Sequence, residues 1–232
     1  MRDFISGLKM SFGYFSALPV KLGEDDRFDK TQKLSWMLGL LPFVGLVIAS
    51  ISVGLYYLIS NWYFALLSAI LYLMLSGFLH LEAVIDVIDA IYAKLSGKDA
   101  YAIIKEPTVG AIGVLWGGSF LILEVGGIVF LLLHQRYSDV LMMSVVSRVG
   151  LLYVLYFFEF KSVFVSTLKE SLDARWLIFW GVVVILKCYM IAIALLVAYV
   201  VGRMLGFRNG DVLGFTLEAT QICFIAITAM TL

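Results

Sequence analysis

Three carboxylates recur at helical spacing in the segment Gly77-Phe78-Leu79-His80-Leu81-Glu82-Ala83-Val84-Ile85-Asp86-Val87-Ile88-Asp89-Ala90: Glu82, Asp86 and Asp89. Positions i, i+4 and i+7 lie within about 60° of one another on a helix. Like charges on one stripe destabilise the helix unless a cation answers them. The nearest basic residues, Lys94 and Lys98, fall beyond the cluster. A hard divalent cation such as Mg²⁺, which favours oxygen ligands, would neutralise the stripe. The plainer reading is a solvated face of a loop helix. The metal reading gains from the adjoining apolar run, because acids beside a membrane are costly and tend to be functional. On an unbroken helix His80 points away from the acids, among Val84, Val87 and Ile91, so packing or capping competes with catalysis there. A helix break near Leu81 would change that. The spacing is not His-Glu-x-x-His, so no zinc protease is indicated.

Two further stretches carry chemistry. In Lys105-Glu106-Pro107-Thr108-Val109-Gly110-Ala111-Ile112-Gly113 the proline is ordinary helix-entry punctuation. The same glycines at a helix N-terminus, with Lys105 nearby, could also hold phosphate oxygens. Gly210-Asp211-Val212-Leu213-Gly214 opens the last apolar run. Asp211 there reads either as an N-cap or as a site acid. Glu218, seven residues on, is harder to explain as a cap.

The elements that must position these groups are membrane helices. The chain of 232 residues is 62% hydrophobic and 15% charged, whereas a soluble domain carries about a quarter charged residues. Apolar runs long enough to cross a core of about 30 Å fall at 34–60, 63–79, 111–133, 140–160, 176–201 and from 212 onward. Pro42 and Gly45 mark a kink in the first, and Trp62 and Tyr63 suit the interfacial belt. Residues 3–19 form an amphipathic segment suited to the membrane surface or to the side of the bundle. Lys9 interrupts it, so no cleavable signal peptide is expected. The fold expected is an all-α polytopic helical bundle of six or seven transmembrane helices plus this N-terminal helix, in a single domain over residues 1–232. Cys188 and Cys223 read as small buried hydrophobes. Basic and acidic residues balance at 17 each, so no nucleic-acid partner is indicated.

Lys and Arg favour cytoplasmic loops. Six precede the first run, and Lys94, Lys98, Lys105, Lys161, Lys169 and Arg175 follow on the same side of a six-span count; Arg136, Arg203 and Arg208 fall outside. The N-terminus is therefore expected inside. That count puts Asp211 on the opposite side from the acid stripe, although one active site needs both. Either residues 163–168 enter the membrane within an additional short span, or the run 176–201 is broken. Asp211 is expected on the cytoplasmic side, within reach of Glu82–Asp89. At membrane depth, Glu124 is expected to pair with Lys187 or Arg148.

Together the three stretches resemble the cobalamin synthase family, the adenosylcobinamide-GDP ribazoletransferases. That family carries a His-Leu-Asp-Gly motif with two more aspartates, a Lys-Asp-x-Arg-x-Gly-x-x-Gly motif and a late Gly-Asp-x-x-Gly. Phe15-Ser16-Ala17-Leu18-Pro19-Val20 and Leu41-Pro42-Phe43-Val44-Gly45 are similar to its N-terminal segments. Departures are Glu82 and Glu106 for Asp, Ala83 for Gly, Ala17 and Thr108 for Arg, Gln221 for Glu, and Glu124 for Lys.

The resemblance implies transfer of a cobinamide phosphoryl group from adenosylcobinamide-GDP to the 5′ position of α-ribazole or its phosphate, with GMP leaving. Such chemistry rests on charge neutralisation and alignment. Glu82, Asp86 and Asp89 would bind Mg²⁺; Lys105, Arg148 and Glu218 would contact substrate and its phosphates. Asp211 would hold a second metal or act as base, with His80 the alternative base. The setting implied is the inner membrane of a bacterium, in contact with lipid and compatible with a homo-oligomer. Two rivals remain. A CDP-alcohol phosphotransferase lacks its Asp-Gly-x-x-Ala-Arg signature here. A cation-coupled transporter would line a path with Glu124, Arg148, Lys187 and Glu218.

Overall fold

The computed structural model describes residues 2–23, 26, 28 and 31–231. Residues 24, 25, 27, 29 and 30 of the polar connection lie outside the described set. The elements are α1 (Arg2–Phe15), α2 (Thr31–Gly39), α3 (Leu41–Leu58), α4 (Trp62–Leu75), α5 (Leu79–Leu95), α6 (Ala100–Ile103), α7 (Ala111–Leu133), α8 (Tyr137–Phe157), α9 (Val163–Ser171), α10 (Ala174–Val183), α11 (Tyr189–Leu205) and α12 (Gly210–Ala229). The described residues contain no strand. In a bilayer this is expected, since a helix satisfies its own backbone hydrogen bonds.

Among the described residues, four helices are long and apolar enough to cross a membrane: Thr31–Leu58, Ala111–Leu133, Tyr137–Phe157 and Gly210–Ala229. The first joins α2 to α3 through a break at Leu40, just before Pro42, which lacks the amide a continuous helix would use there. The α4–α5 pair, bent by 75°, is apolar and long enough to make a fifth when the two are taken as one broken span. The multi-pass, all-helical membrane bundle expected from composition is what forms.

Ring and ion contacts fix the course of the chain. Tyr56 and Tyr57 at the end of α3 lie 6.0 and 5.4 Å from Tyr137 at the start of α8. These mark the far end of the bundle. Trp176 at the start of α10 lies 5.1 Å from Trp36 of α2, at the near end. Eleven residues later Lys187 Nζ is 3.8 Å from Asp139 Oδ1, in the first turn of α8, so the chain has reached the far end. It then returns along α11, where Met204 O accepts from Lys94 Nζ at 2.8 Å.

The run 176–201 is therefore broken, at the 3₁₀ turn Ile185–Lys187, into two short legs. Residues 163–168 belong instead to α9, which packs Val165 and Leu168 inward against α2 without crossing. Seven legs result, and α12 starts at the near end, beside α5. The same course brings Arg203 and Arg208 to the same end as Lys94 and Lys161, where the six-span count puts them at the opposite one. Cys188 is exposed at the break rather than buried, and Cys223 is half-buried.

The N-terminal helix is tucked against the bundle, with Met10 buried. Asp26 secures it: its carboxylate accepts from the Gly23 amide at 2.8 Å and from the Ser6 hydroxyl, and lies 3.6 Å from Lys9 Nζ. The Gly23 amide, the Ser6 hydroxyl and the Lys9 charge hold the Asp26 carboxyl below the usual carboxylate range.

The two short legs can be tested by side-specific thiol labelling. In a Cys223→Ser background, Cys188 is expected to react from the face opposite to a cysteine introduced at Lys98. Labelling of both from one face would remove the α10–α11 hairpin and return the chain to fewer crossings.

Candidate active site

The acid stripe owes its position to a break in the chain. Gly77 and Phe78 both adopt left-handed backbone (φ 70° and 53°), unusual for a phenylalanine and costly by about 1–3 kcal/mol. The reversal ends α4 and turns α5 away from it. The break lies before His80, so His80 and the three acids share one continuous helix. As the spacing requires, they fall on different faces.

Glu82, exposed, and Asp86, half-buried, line a cleft of ≈ 340 Å³ together with Glu106 and Thr108. Asp89, a turn further on, faces the start of α7. Its Oδ2 accepts from the Gly110 amide at 2.6 Å and its Oδ1 from the Gly113 amide at 2.8 Å. A Cβ on Gly113 would come within 2.6 Å of Asp89 Oδ2. The glycines there admit a carboxylate from within the chain, so the α7 N-terminus already carries its anion. That corrects the reading of this segment as a phosphate nest and makes Asp89 a group that joins α5 to α7.

Asp211 reaches the same end of the bundle from α12. The N-cap is Asn209, whose Oδ1 accepts from Val212 N at 3.2 Å; Asp211 is not the cap. Its carboxylate instead accepts from Asn209 Nδ2 at 2.6 Å, and it lies within electrostatic reach of Asp86 and Glu82. Close approach of α12 to α5 requires Gly214, where a Cβ would stand 2.6 Å from that of Ala83. His80 and Asp211 line one cavity of ≈ 190 Å³, walled by Phe15, Leu41 and Phe164. His80 Nε2 is buried there without a hydrogen-bond partner. Helix α5 thus presents Glu82 and Asp86 on one side and His80 on the other, with Asp211 within reach of both.

Arg148 and Glu218 stand elsewhere. Arg148 is fully buried in α8, and its guanidinium donates to Ser144 Oγ at 2.7 Å, Ser144 O at 3.0 Å and Tyr72 Oη at 3.4 Å. Tyr72 in turn donates to Gln221 Oε1. Gly45 makes the room, since a Cβ there would lie 2.6 Å from Arg148 Cδ. Glu124 and Glu218, both buried, lie within electrostatic reach of this guanidinium. Neither expected partner is paired with Glu124: Lys187 faces Asp139, and both Glu124 carboxyl oxygens, like Arg148 Nε and Nη2, are buried without a hydrogen-bond partner. Lys187 is thereby separated from the other three, which removes the continuous transport path. Neither cavity at the near end is lined by Arg148 or Glu218.

Lys105 is exposed beside Glu106, its Nζ 4.1 Å from the Tyr101 ring centroid. Sequence reasoning missed Tyr72, whose place in an apolar run gave no sign of its hydrogen bonds. It also passed over Lys161, counted only as a loop charge, whose Nζ lies 3.6 Å from the same Tyr101 centroid.

Among the described residues, no three His, Cys, Asp or Glu side chains are gathered as a ready-made metal site. Mg²⁺ does not require one. It commonly binds one or two carboxylates, keeps several waters and takes the rest from substrate phosphates. Glu82 and Asp86, hard oxygen donors on an open cleft and without a cation partner among the described residues, fit that mode.

The sequence model of the cobalamin-5-phosphate synthase family matches residues 7–229. The chain belongs to that family. It is 31% identical over 134 residues to an adenosylcobinamide-GDP ribazoletransferase of Clostridium perfringens strain SM101, covering 55% of this chain and 51% of the relative. To the enzyme of that name from Clostridium botulinum strain Alaska E43 it is 27% identical over 229 residues, 96% of this chain and 86% of the relative. To that of Shewanella oneidensis it is 27% identical over 240 residues, 93% of this chain and 89% of the relative. The match spans about half the length of the first relative and most of the other two. No solved structure matches the chain.

Within this synthase-family chain, two substitutions separate supporting residues from the cleft acids. Asp89→Asn removes an acceptor from the α7 amides and is expected to lower stability by about 1–3 kcal/mol, whereas exposed Glu82→Gln leaves thermal unfolding in detergent unchanged. Equal melting temperatures for the two variants would return Asp89 to the open acid stripe. Arg148→Met removes the donor to Ser144 and Tyr72 from the bundle interior, so a loss of about 1–3 kcal/mol is expected. A variant as stable as the parent would show that these hydrogen bonds do not hold α8 against α4.

Proposed function

We propose that the protein transfers the cobinamide phosphoryl group from adenosylcobinamide-GDP to a free ribose hydroxyl of α-ribazole or of its 5′-phosphate, releasing GMP and forming adenosylcobalamin or its phosphate. Family membership over residues 7–229 supports the reaction. The observation that carries the site is that α5 and α12, distant in sequence, bring Glu82, Asp86, His80 and Asp211 to one end of the bundle. In the reaction the acceptor's ribose oxygen bonds to the cobinamide phosphorus as the bond from that phosphorus to the bridging diphosphate oxygen breaks. GMP departs with that oxygen. The proton of the attacking hydroxyl goes to Asp211, or to His80 in the same cavity.

Glu82 and Asp86 would hold Mg²⁺ together with substrate oxygens. When bound, the ion supplies neutralisation of the charge that develops on the leaving phosphate. Asp89 fixes the relation of α5 to α7 and so keeps Glu106 and Lys105 opposite the acids. Arg148 and Glu218 act from the bundle interior, holding α8 and α12 in the register that presents Asp211. Lys105 contacts a phosphate directly. The N-terminal end, which gathers Lys94, Lys98, Lys105, Lys161, Lys169, Arg175, Arg203 and Arg208, faces the cytoplasm by the positive-inside bias, in the inner membrane of a bacterium.

Release of GMP from adenosylcobinamide-GDP, dependent on α-ribazole and Mg²⁺, tests the reading on purified protein. Asp86→Asn and Asp211→Asn are expected to cut turnover by about a hundredfold or more while melting as the parent does, and a chelator is expected to abolish it reversibly. GMP release that persists in both variants would move the chemistry away from these acids.

A further inference from the structure

Lys161 stands in a position that the transfer reading leaves without a role. It belongs to the connection between α8 and α9, and its backbone amide donates to Arg208 O at 2.8 Å. It is thereby tied to the loop that leads into α12, whose first turn carries Asp211. Its side chain crosses to Tyr101 in α6, where its ammonium lies 3.6 Å from the ring centroid; that of Lys105 lies 4.1 Å from the same centroid. The ring is held in turn by Phe207, edge-on at 5.0 Å and 87°. Helix α6 is seated by Ala100 and Ile104, buried with Val87 of α5 and Val212 of α12 in one apolar cluster. Two ammonium groups thus converge on one fixed ring, between the segment that carries Glu106 and the segment that carries Asp211.

Neither ammonium has a carboxylate within ion-pair distance among the described residues. Each is attracted to the ring face, yet the two repel one another, and both are exposed. An anion with several charged oxygens would relieve that repulsion. Lysine ammonium groups, each with three donors, suit the scattered oxygens of a diphosphate.

We infer that Lys161 and Lys105, spaced by Tyr101, form a clamp for the diphosphate of the nucleotide-activated substrate. This assignment rests on the proposed transfer reaction and adds Lys161 to its substrate-binding residues. In the clamp Lys161 binds phosphate oxygens and takes no proton.

Inorganic pyrophosphate binding to the full-length protein in detergent, measured by calorimetry, tests the clamp without turnover. Lys161→Gln is expected to weaken binding about tenfold, and Lys161→Arg to retain most of it. Tyr101→Phe keeps the ring and the affinity; Tyr101→Ala loses about as much as Lys161→Gln. In the GMP-release assay, Lys161→Gln is expected to raise KM for adenosylcobinamide-GDP about tenfold with kcat within about twofold. Pyrophosphate binding that is absent from the parent, or equal in parent and Lys161→Gln, overturns the clamp. If the parent releases no GMP, the transfer reading fails, and the pyrophosphate comparison still decides the role of Lys161.

Discussion

A fully desolvated guanidinium in a membrane bundle constrains everything around it. Removing a charge from water costs several kcal/mol even after relaxation, so a buried Arg148 needs polar neighbours. Ser144 of its own helix and Tyr72 of α4 accept from it, while Glu124 of α7 and Glu218 of α12 lie within electrostatic reach without forming an ion pair. Gly45 of α3 gives it space. Few lipid-facing contacts could fix rotation and register so closely, because hydrocarbon tails are as apolar as the side chains they would replace. The polar centre therefore sets how α8 and α12 align, and the end of α12 is where Asp211 stands.

Much of this was legible in the residues. Hydropathy gave the helices, and the i, i+4, i+7 spacing gave the faces of α5, including the divergence of His80 from the acids. The need to bring Asp211 to the acid stripe required either an extra short span at 163–168 or a broken run at 176–201, and it is the second that occurs, at Ile185–Lys187. What sequence did not reveal follows from contacts between distant segments. Nothing local to Asp89 says that its carboxylate seats on amides 21 and 24 residues later. Gly110 and Gly113 carry no mark that distinguishes a cradle for a side chain from a cradle for a phosphate. Tyr72 looks like one more aromatic in an apolar run until α8 and α12 close on it.

Scale also separates the parts of the proposed substrate. The cavities at the near end, ≈ 190 and ≈ 340 Å³, suit a phosphate and its immediate neighbours. A corrinoid ring is far larger than either. In the proposed reaction only the bridging phosphates and the attacking hydroxyl need enter them. An amphiphile of that shape is well served by an active site at the boundary between lipid and water.

The seating of Asp89 on the α7 amides has a mechanical consequence. Residues 105–109 run between Ile104, fixed in an apolar cluster, and Gly110, fixed by a carboxylate. With both ends anchored and only five residues between them, the segment that carries Glu106 and Thr108 has little freedom to move independently of α5 and α7. A change at the Asp89 seat would therefore be felt at the cleft as a displaced wall.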